Sequence, residues 1–438
     1  MKIAVIGTGI AGMSAAWLLN QRHQITVYEK NNRPGGHSNT FDAATAGGTI
    51  PVDTGFIVYN PANYPNLTEL FKHLEVTTKP SEMSFAVSLE NGKFEYSGTG
   101  LNGLLGQRHN IFRPRFWRMM VGLLKFYRNA PSFLSAATAH EMTLGDYLSQ
   151  NGYDPGFIND HLLPMGAAIW STTIREMAQY PAQSFIRFFH SHGLLKLKNC
   201  PEWRTVDGGS RAYVEALTAP YRDRIRYVGV RRVRRLANSV IVEDQQGDFR
   251  SYDHVVIAAH ADEALQMLAD ADPLENELLG AWRYTANRAV LHRDPSLMPK
   301  RRRIWSSWNF MESTGSTDRQ LCVTYWMNRL QLPQVTTPLF MTLNPTHEPD
   351  AEKTMQSLDY SHPFFNAAAL ASQQRLWSLQ GNRRTWYCGS YFGYGFHEDG
   401  LQSGLAVGEQ LGGTRRPWSV SDENGRIFVH PSAKSDVA

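Results

Sequence analysis

An α/β fold is predicted by three observations: an apolar β-strand at the start of the chain, a glycine-rich turn leading it into a helix, and strand-and-glycine segments of the same kind in mid-chain and near the end. At 438 residues the chain exceeds one ordinary domain, which favours two interleaved units. Hydrophobic residues make up 42% and charged residues 19%, enough apolar material for a sizeable core in a soluble globular protein. The 44 basic and 40 acidic side chains leave a formal charge of +4, too mild for a nucleic-acid-binding surface. Cys200, Cys322 and Cys388 lie far apart and form no C-x-x-C pair, so neither a disulfide framework nor a zinc site is expected.

Lys2-Ile3-Ala4-Val5-Ile6 is a short, β-branched run, the pattern of a strand covered on both faces. It runs into Gly7-Thr8-Gly9-Ile10-Ala11-Gly12, a helical stretch over Met13–Asn20, and a second strand over Gln24–Tyr28 that ends on Glu29 and Lys30. G-x-G-x-x-G between a strand and a helix is the Rossmann-like, dinucleotide-binding arrangement. Gly7 permits the turn, Gly9 lets a pyrophosphate approach the backbone, and Gly12 lets the helix sit close on the strand. The first-turn N–H groups, at Ile10 and Ala11 among others, and the positive end of the helix dipole then face the phosphates. Glu29, 22 positions after Gly7, is placed to accept hydrogen bonds from ribose hydroxyls, and its charge disfavours the 2′-phosphate of NADP.

NAD and FAD fit this unit equally; the next segment separates them. Gly35-Gly36-His37 adds a second glycine turn just beyond Glu29, able to bring more N–H groups onto the same pyrophosphate. Val52-Asp53-Thr54-Gly55-Phe56 is a strand end with a glycine where backbone can meet a flat ring. The pair E-x5-G-G and D-x-G resembles the FAD-binding half of the flavin amine oxidase and phytoene desaturase superfamily. That resemblance implies FAD, with contacts at Gly35, Gly36, His37, Gly55 and Phe56; where those families usually carry Arg after the glycine pair, His37 stands here. No cysteine or histidine sits in a clear attachment motif, so non-covalent binding is expected.

In mid-chain, Gly208-Gly209-Ser210 opens a helical stretch over Arg211–Leu217, and 225–230, 239–243 and 254–259 read as strands. The resemblance implies that the last of these returns to the FAD domain and that Val230 meets adenine through its backbone. Near the end, Thr385–Gly389 is a strand into a glycine turn, and Gly393-Tyr394-Gly395-Phe396-His397-Glu398-Asp399-Gly400 leads to a helix over Leu401–Gln410. The resemblance implies that this helix aims its N-terminus at the flavin, with Gly400 and Leu401 near the isoalloxazine and Gly389 near the ribityl chain. The expected architecture is therefore a Rossmann-like FAD-binding domain (1–79, 205–264, 381–430) interleaved with an α+β substrate domain (80–204, 265–380). That is the amine-oxidase-like two-domain arrangement, here followed by a polar tail at 431–438.

Val52–Asn60, Leu162–Ser171, Ser306–Phe310 and Gly393–Gly400, taken in order, are similar to a narrower group. These are the flavin-binding N-terminal domain of plant cyclopropane fatty acid synthases and its free-standing bacterial relatives. The likeness implies an apolar acyl-lipid substrate and an acyl-chain-modifying methyltransferase as a partner. The aromatics Trp170, Phe185, Phe188, Phe189, Trp305, Trp308, Tyr325, Trp326 and Tyr394 suit an apolar tunnel, although buried aromatics are more often plain core. Trp170 follows the small residues Gly166-Ala167-Ala168; with Met165, Trp308, Tyr325 and Tyr394 it forms the expected pocket.

His397 and Glu398 adjoin the flavin-facing helix and are the candidates for proton transfer. No counterpart of the lysine that amine oxidases set beside the flavin is evident, and no metal is expected. The expected function is an FAD-dependent oxidoreductase that oxidises or desaturates an acyl chain. Two competing readings are oxidation of a small amine, and a non-catalytic flavin-bound lipid-binding accessory to a methyltransferase.

The absence of a leader and of an apolar run of about 18 residues suggests a cytoplasmic protein. Phe112, Phe116, Met119, Met120, Leu123 and Tyr127 recur at helical spacing with Arg115, Arg118, Lys125 and Arg128 off that stripe. The stripe is expected either to lie in an anionic membrane surface or to pack on the core.

Overall fold

The computed structural model describes residues 1–45, 47–135, 142–196, 200–312 and 321–430; the expected tail at 431–438 lies outside them. The opening strand, β1 (Lys2–Ile6), the helix α1 (Ile10–Asn20) and the strand β2 (Gln24–Tyr28) form as the pattern requires. β1 sits at the centre of a five-stranded, wholly parallel sheet. The order is Thr385–Tyr387, His254–Ile257, β1, β2, Ile225–Arg226, so strands from three distant parts of the chain meet in one layer.

The helix α1 is buried from Ile10 to Leu19, which a one-sided surface helix would not be. The reason is its second neighbour, the C-terminal helix His397–Gln410, whose glycines at i, i+4 and i+8 face it. A Cβ on Gly404 would lie 2.1 Å from the Ala11 carbonyl oxygen, one on Gly400 2.9 Å from the Ile10 side chain, and one on Gly408 3.3 Å from the Ala15 carbonyl oxygen. The stripe lets two backbones touch, and it fixes the two helix N-termini side by side.

The second unit is built on a seven-stranded sheet. Its order is Thr354–Phe364, Arg283–His292, Phe340–Leu343, Leu321–Trp326, Trp308–Glu312, Phe85–Leu89, Phe94–Ser97, antiparallel except where Trp308–Glu312 meets Phe85–Leu89. Helices from 114 to 191 pack beside it; among them a π-helical turn at Ile158–Leu162 runs directly into Leu163–Trp170. Such turns cluster at functional sites.

Three boundaries differ from the sequence expectation by three residues or more. The helix expected over Met13–Asn20 begins at Ile10. The strand expected over 225–230 stops at Arg226, and Val230 starts a separate meander, Val230–Arg235, Val240–Asp244, Phe249–Tyr252. The last helix begins at His397 rather than Leu401, because Asp399 Oδ2 accepts from the Phe396 N–H (2.7 Å) and caps it there. Gly400 therefore lies inside the first turn.

Several arginines of the basic segments 231–235 and 300–303 have acidic partners. Arg235 is buried against Glu275 and Asp270, Arg231 pairs with Glu243 at 3.4 Å, and Arg301 reaches Glu95 at 2.7 Å. Among the described residues no helix is long and apolar enough to cross a membrane.

Candidate active site

The carboxyl ends of the parallel strands all open on one cavity of about 1780 Å³. That is where open α/β sheets bind ligands, and the volume is well beyond the 300–1,000 Å³ of an ordinary small-molecule pocket. Gly7 follows β1, Glu29 follows β2, Ala258 and Ala259 follow the His254–Ile257 strand, and Gly389 follows the Thr385–Tyr387 strand; all lie in the wall.

At one end the wall is Gly7, Gly9, Ile10, Ala11, Glu29, Lys30, Gly35, Gly36 and Val230. Gly7 adopts φ +101°, and a Cβ there would sit 2.5 Å from the Ala258 carbonyl oxygen, so the turn admits only glycine. Glu29 is buried and pinned: its Oε2 accepts from the Thr8 N–H (3.1 Å) and hydroxyl, its Oε1 from the Asn31 N–H and amide (both 2.8 Å). The second glycine turn is tied back by Gly35 N–H to the Thr8 carbonyl at 3.0 Å.

The middle of the cavity is ringed by His37, Gly55, Phe56, Gly389, His397 and Gly400. The His397 imidazole stacks on Phe56 at 3.8 Å, and its Nε2 bonds to the Ser38 (2.9 Å) and Tyr213 (2.7 Å) hydroxyls. Burial pushes its pKa down to about 3, so the ring is neutral. His37 stacks on Tyr360 at 4.8 Å beside His362, and burial lowers its pKa well below the ordinary value, with the neighbouring histidines adding to the effect. The two helix N-termini, at Gly9–Ala11 and His397–Gly400, reach this region and lend it positive potential without a formal charge.

The far arm is mostly apolar, with Phe85, Met119, Met120, Leu123, Met165, Ile169, Trp170, Phe188, Trp308, Tyr325, Tyr394 and Phe396, and the wall also includes Tyr96, His161, His192 and Lys196. Trp170 packs on Phe188 (4.7 Å) and Tyr180 (4.8 Å), and Trp308 on Tyr325 (4.9 Å). Phe185, Phe189, Trp305 and Trp326, also expected in the tunnel, are not in the wall; Phe185 and Phe189 stack on each other in the core.

Two features show that the wall is shaped for an occupant. A Cβ on Gly9 would meet nothing within 4 Å, so the protein itself does not require glycine there. Four wall residues, His37 (Nε2), Trp170 (Nε1), Trp308 (Nε1) and His192 (Nε2), each bury a ring nitrogen with no partner among the described residues, and buried polar groups are normally satisfied. The residues present fit a flavin dinucleotide, with Gly9–Ala11, Glu29, Gly35 and Gly36 for its nucleotide half and His37, Gly55, Phe56 and Gly400 for its ring.

Three expected site residues are placed elsewhere. Glu398 is not in the cavity: its carboxylate accepts from the Asn66 N–H (3.0 Å), the Leu67 N–H (3.0 Å), the Asn66 amide (2.9 Å) and the Gln402 amide (3.0 Å), and so caps the helix Pro65–His73. Outside the cavity wall and capping a helix, this carboxylate has no access to a bound ring, and the proton-transfer role falls. Leu401 is fully buried in the core rather than in the wall. Gly12 is likewise behind the wall, since a Cβ there would lie 2.0 Å from the Gly7 carbonyl oxygen; it serves helix–strand contact alone.

Sequence reasoning missed others. His192 is 2% exposed, stacks on Phe188 at 3.8 Å, and turns its unpartnered Nε2 inward. Asp53, quoted in the D-x-G motif without a role, joins three parts of the chain. It accepts from the Thr40 hydroxyl (2.6 Å), the Ser210 N–H and hydroxyl (both 2.8 Å) and the Gln331 amide (2.6 Å).

The sequence model of the flavin containing amine oxidoreductases matches residues 10–394. The chain belongs to that family. The family's description names a flavin and an oxidoreductase, and structural neighbours agree on the two-domain α/β fold. The conjugated-linoleic-acid-producing fatty acid isomerase from P. acnes is 16% identical over 93% of this chain and 97% of that one, with a TM-score of 0.67. Cyclohexylamine oxidase from Brevibacterium oxydans IH-35A is 16% identical over 94% and 99%, with a TM-score of 0.66. A 4,4′-diapophytoene desaturase of Staphylococcus aureus is 46% identical over 54 residues. The chain spans about a tenth of the length of such curated relatives (11% in that case).

The buried histidines of this family member give a pH prediction. Burial lowers His192 to about 3 and His161 and His292 to about 4, against about 6.5 unfolded. The unfolded chain therefore binds more protons between those values, so stability is complete above pH 6.5 and falls as pH drops toward 4. At pH 5.5 each of the three should cost about 1.4 kcal/mol, and urea midpoints measured at pH 7.5 and 5.5 should fall accordingly. An unchanged midpoint would show these rings to be protonated in the fold.

Proposed function

We propose that the chain is an FAD-dependent oxidoreductase, with FAD held non-covalently, that oxidises or desaturates an apolar acyl chain. The supporting observation is the far arm of the cavity, a stretch of wall made mainly of methionine, leucine and aromatic side chains with no carboxylate among them. An amine or polyamine needs a polar or acidic terminus to recognise its nitrogen. An alkyl chain needs apolar length, and that is what the arm provides. Of the proteins named above, the fatty acid isomerase and the desaturase are in line with this reading and the cyclohexylamine oxidase with the amine alternative.

When bound, the flavin supplies hydride acceptance. The protein's own contribution is positional. Trp170, Phe188, Tyr394 and Phe396 hold a chain beside the ring site and keep water from it, while the two helix N-termini favour negative charge on the ring. His397 is the titratable group on the wall at the helix N-terminus; as a neutral imidazole bonded to Ser38 and Tyr213 it orients Phe56 and the ring rather than carrying charge.

The test is oxygen consumption or peroxide release by the FAD-loaded protein across acyl lipids of rising chain length and across small amines. Turnover should rise with chain length and be absent with amines. Met120→Trp, which fills the far arm, should lower kcat/KM for the longest chains about tenfold or more while sparing short ones, since one buried CH₂ is worth about 0.8 kcal/mol. Amine turnover with no acyl-lipid turnover would replace this reading by amine oxidation.

A further inference from the structure

Residues 96–140 contain no Asp or Glu, yet carry Arg108, Arg113, Arg115, Arg118, Lys125 and Arg128. The longest element of this stretch is the helix Pro114–Phe133, which presents three faces. The first is internal. Phe116, Met119, Leu123 and Phe126 are buried, and Met119, Met120, Leu123 and Tyr127 line the far arm of the cavity. The apolar stripe expected at a membrane surface is therefore mostly the inside of the protein.

The second face is external. Trp117, Val121 and Leu124, at i, i+4 and i+7, are 52%, 65% and 51% exposed, and Phe112 just before the helix is 86% exposed. Large apolar side chains in a row on the outside need a partner. The third face carries Pro114 and Arg118. Together with Lys93, His109, Arg113, Arg115, Lys300 and Arg301 they surround a surface depression of about 860 Å³, whose one carboxylate, Glu90, is held by Arg115.

The charges of this region divide into fixed and available ones. Arg115 makes a bidentate contact with Asp160 (2.6 and 2.8 Å) and also holds Glu90, and Lys125 donates to the Asn151 and Gly152 carbonyls. Those two anchor the helix to the body. Among the described residues Arg108, Arg118 and Arg128 have no acidic partner.

We propose that this face docks on an anionic lipid bilayer, with Phe112, Trp117, Val121 and Leu124 dipped into the acyl boundary and the Lys93–Arg113–Arg118–Lys300 depression holding headgroup phosphates. The charge pattern selects that occupant: an exposed apolar row flanked by cations, with no acid in the surrounding stretch, matches an interfacial helix. The same helix then stands between bilayer and cavity, so an acyl chain leaving the membrane needs to pass one helix to reach the far arm. That passage rests on the acyl-chain reading above; the docking does not.

The experiment is co-sedimentation of the FAD-loaded protein with phosphatidylcholine vesicles, with and without phosphatidylglycerol. Binding is expected only with phosphatidylglycerol, weakened by added salt. W117S/V121S/L124S should abolish it, and R118E/R128E should weaken it by about fivefold per lost cation or more. All five positions are exposed and outside the cavity wall, so melting temperature and flavin content should be unchanged.

Wild-type protein that ignores anionic vesicles, or variants that bind as well as wild type, would overturn the proposal. So would a concentration-dependent dimer that W117S/V121S/L124S dissolves, which would make the face a contact between copies. Detergent-solubilised acyl lipid separates the two readings. If docking fails while solubilised lipid still turns over, the functional reading stands without the membrane.

Discussion

Gly9→Val is expected to leave the fold intact and to remove the flavin. Gly9 has φ −62° and ψ 173°, extended backbone that any residue adopts, and a Cβ there meets no protein atom within 4 Å. The empty protein therefore has no use for glycine at this position. The use appears with a pyrophosphate, which must come against the first-turn N–H groups at the N-terminus of α1 and cannot do so past a valine. Loss of these charge-assisted contacts should weaken FAD binding about a hundredfold or more. The urea midpoint of the flavin-free protein should stay within about 0.5 kcal/mol of wild type.

Gly12→Val supplies the contrast. Its Cβ would lie 2.0 Å from the Gly7 carbonyl oxygen, so the variant should destabilise the flavin-free protein as well. Fluorescence titration of FAD together with urea melts of both variants separates a ligand-driven glycine from a packing-driven one. Tight FAD binding by Gly9→Val would mean that the nucleotide lies elsewhere.

The second large effect is at Asp53. Asp53→Ala removes the acceptor of four donors on three residues: the Thr40 hydroxyl, the Ser210 N–H and hydroxyl, and the Gln331 amide, all in a site where Asp53 itself is 1% exposed. Stranding buried donors in this way costs about 3–5 kcal/mol. Gln331 belongs to the unit with the seven-stranded sheet, whereas Thr40 and Ser210 flank the nucleotide end. The loss should therefore show both in the urea midpoint and as weaker FAD retention. Burial pushes the Asp53 carboxyl upward while its donors hold it down, and Asp53→Asn, which keeps the shape but turns an amide toward other donors, should fall between wild type and Asp53→Ala. A midpoint shift below about 1 kcal/mol in Asp53→Ala would show that these bonds carry no stability.

The legible and illegible parts of this chain divide along sequence distance. β1, α1, β2 and their glycines are readable because the signal for each lies within thirty positions: the positive φ of the turn at Gly7, the Gly7 carbonyl against Gly12, the acid at Glu29. Glu398 was misread because a carboxylate beside a flavin-facing helix looks the same whether it faces the ring or caps Asn66, 332 positions away. The last helix starts earlier than expected because the Gly393–Gly400 run reads as loop until Asp399 is seen to cap Phe396. Helical spacing found the apolar stripe at Phe116, Met119 and Leu123, yet period alone does not say which face is inside. The outer row at Trp117, Val121 and Leu124 is masked in the sequence by the arginines and methionines between its members.

His192 is set aside in the sequence for a related reason: histidines two apart are more often solvated or capping than catalytic. Paired with His190 it suggests nothing, and only its stacking on Phe188, one turn earlier, carries it to the cavity.

The central claim joins a flavin to an apolar arm, and anaerobic reduction tests both at once. The purified protein, loaded with FAD, is mixed without oxygen with a long-chain acyl lipid and, separately, with small amines, and the flavin absorbance is followed. The account expects the yellow band to bleach with the lipid at a rate fast enough for turnover and to persist with the amines. A band that bleaches with an amine and ignores every acyl chain would contradict it.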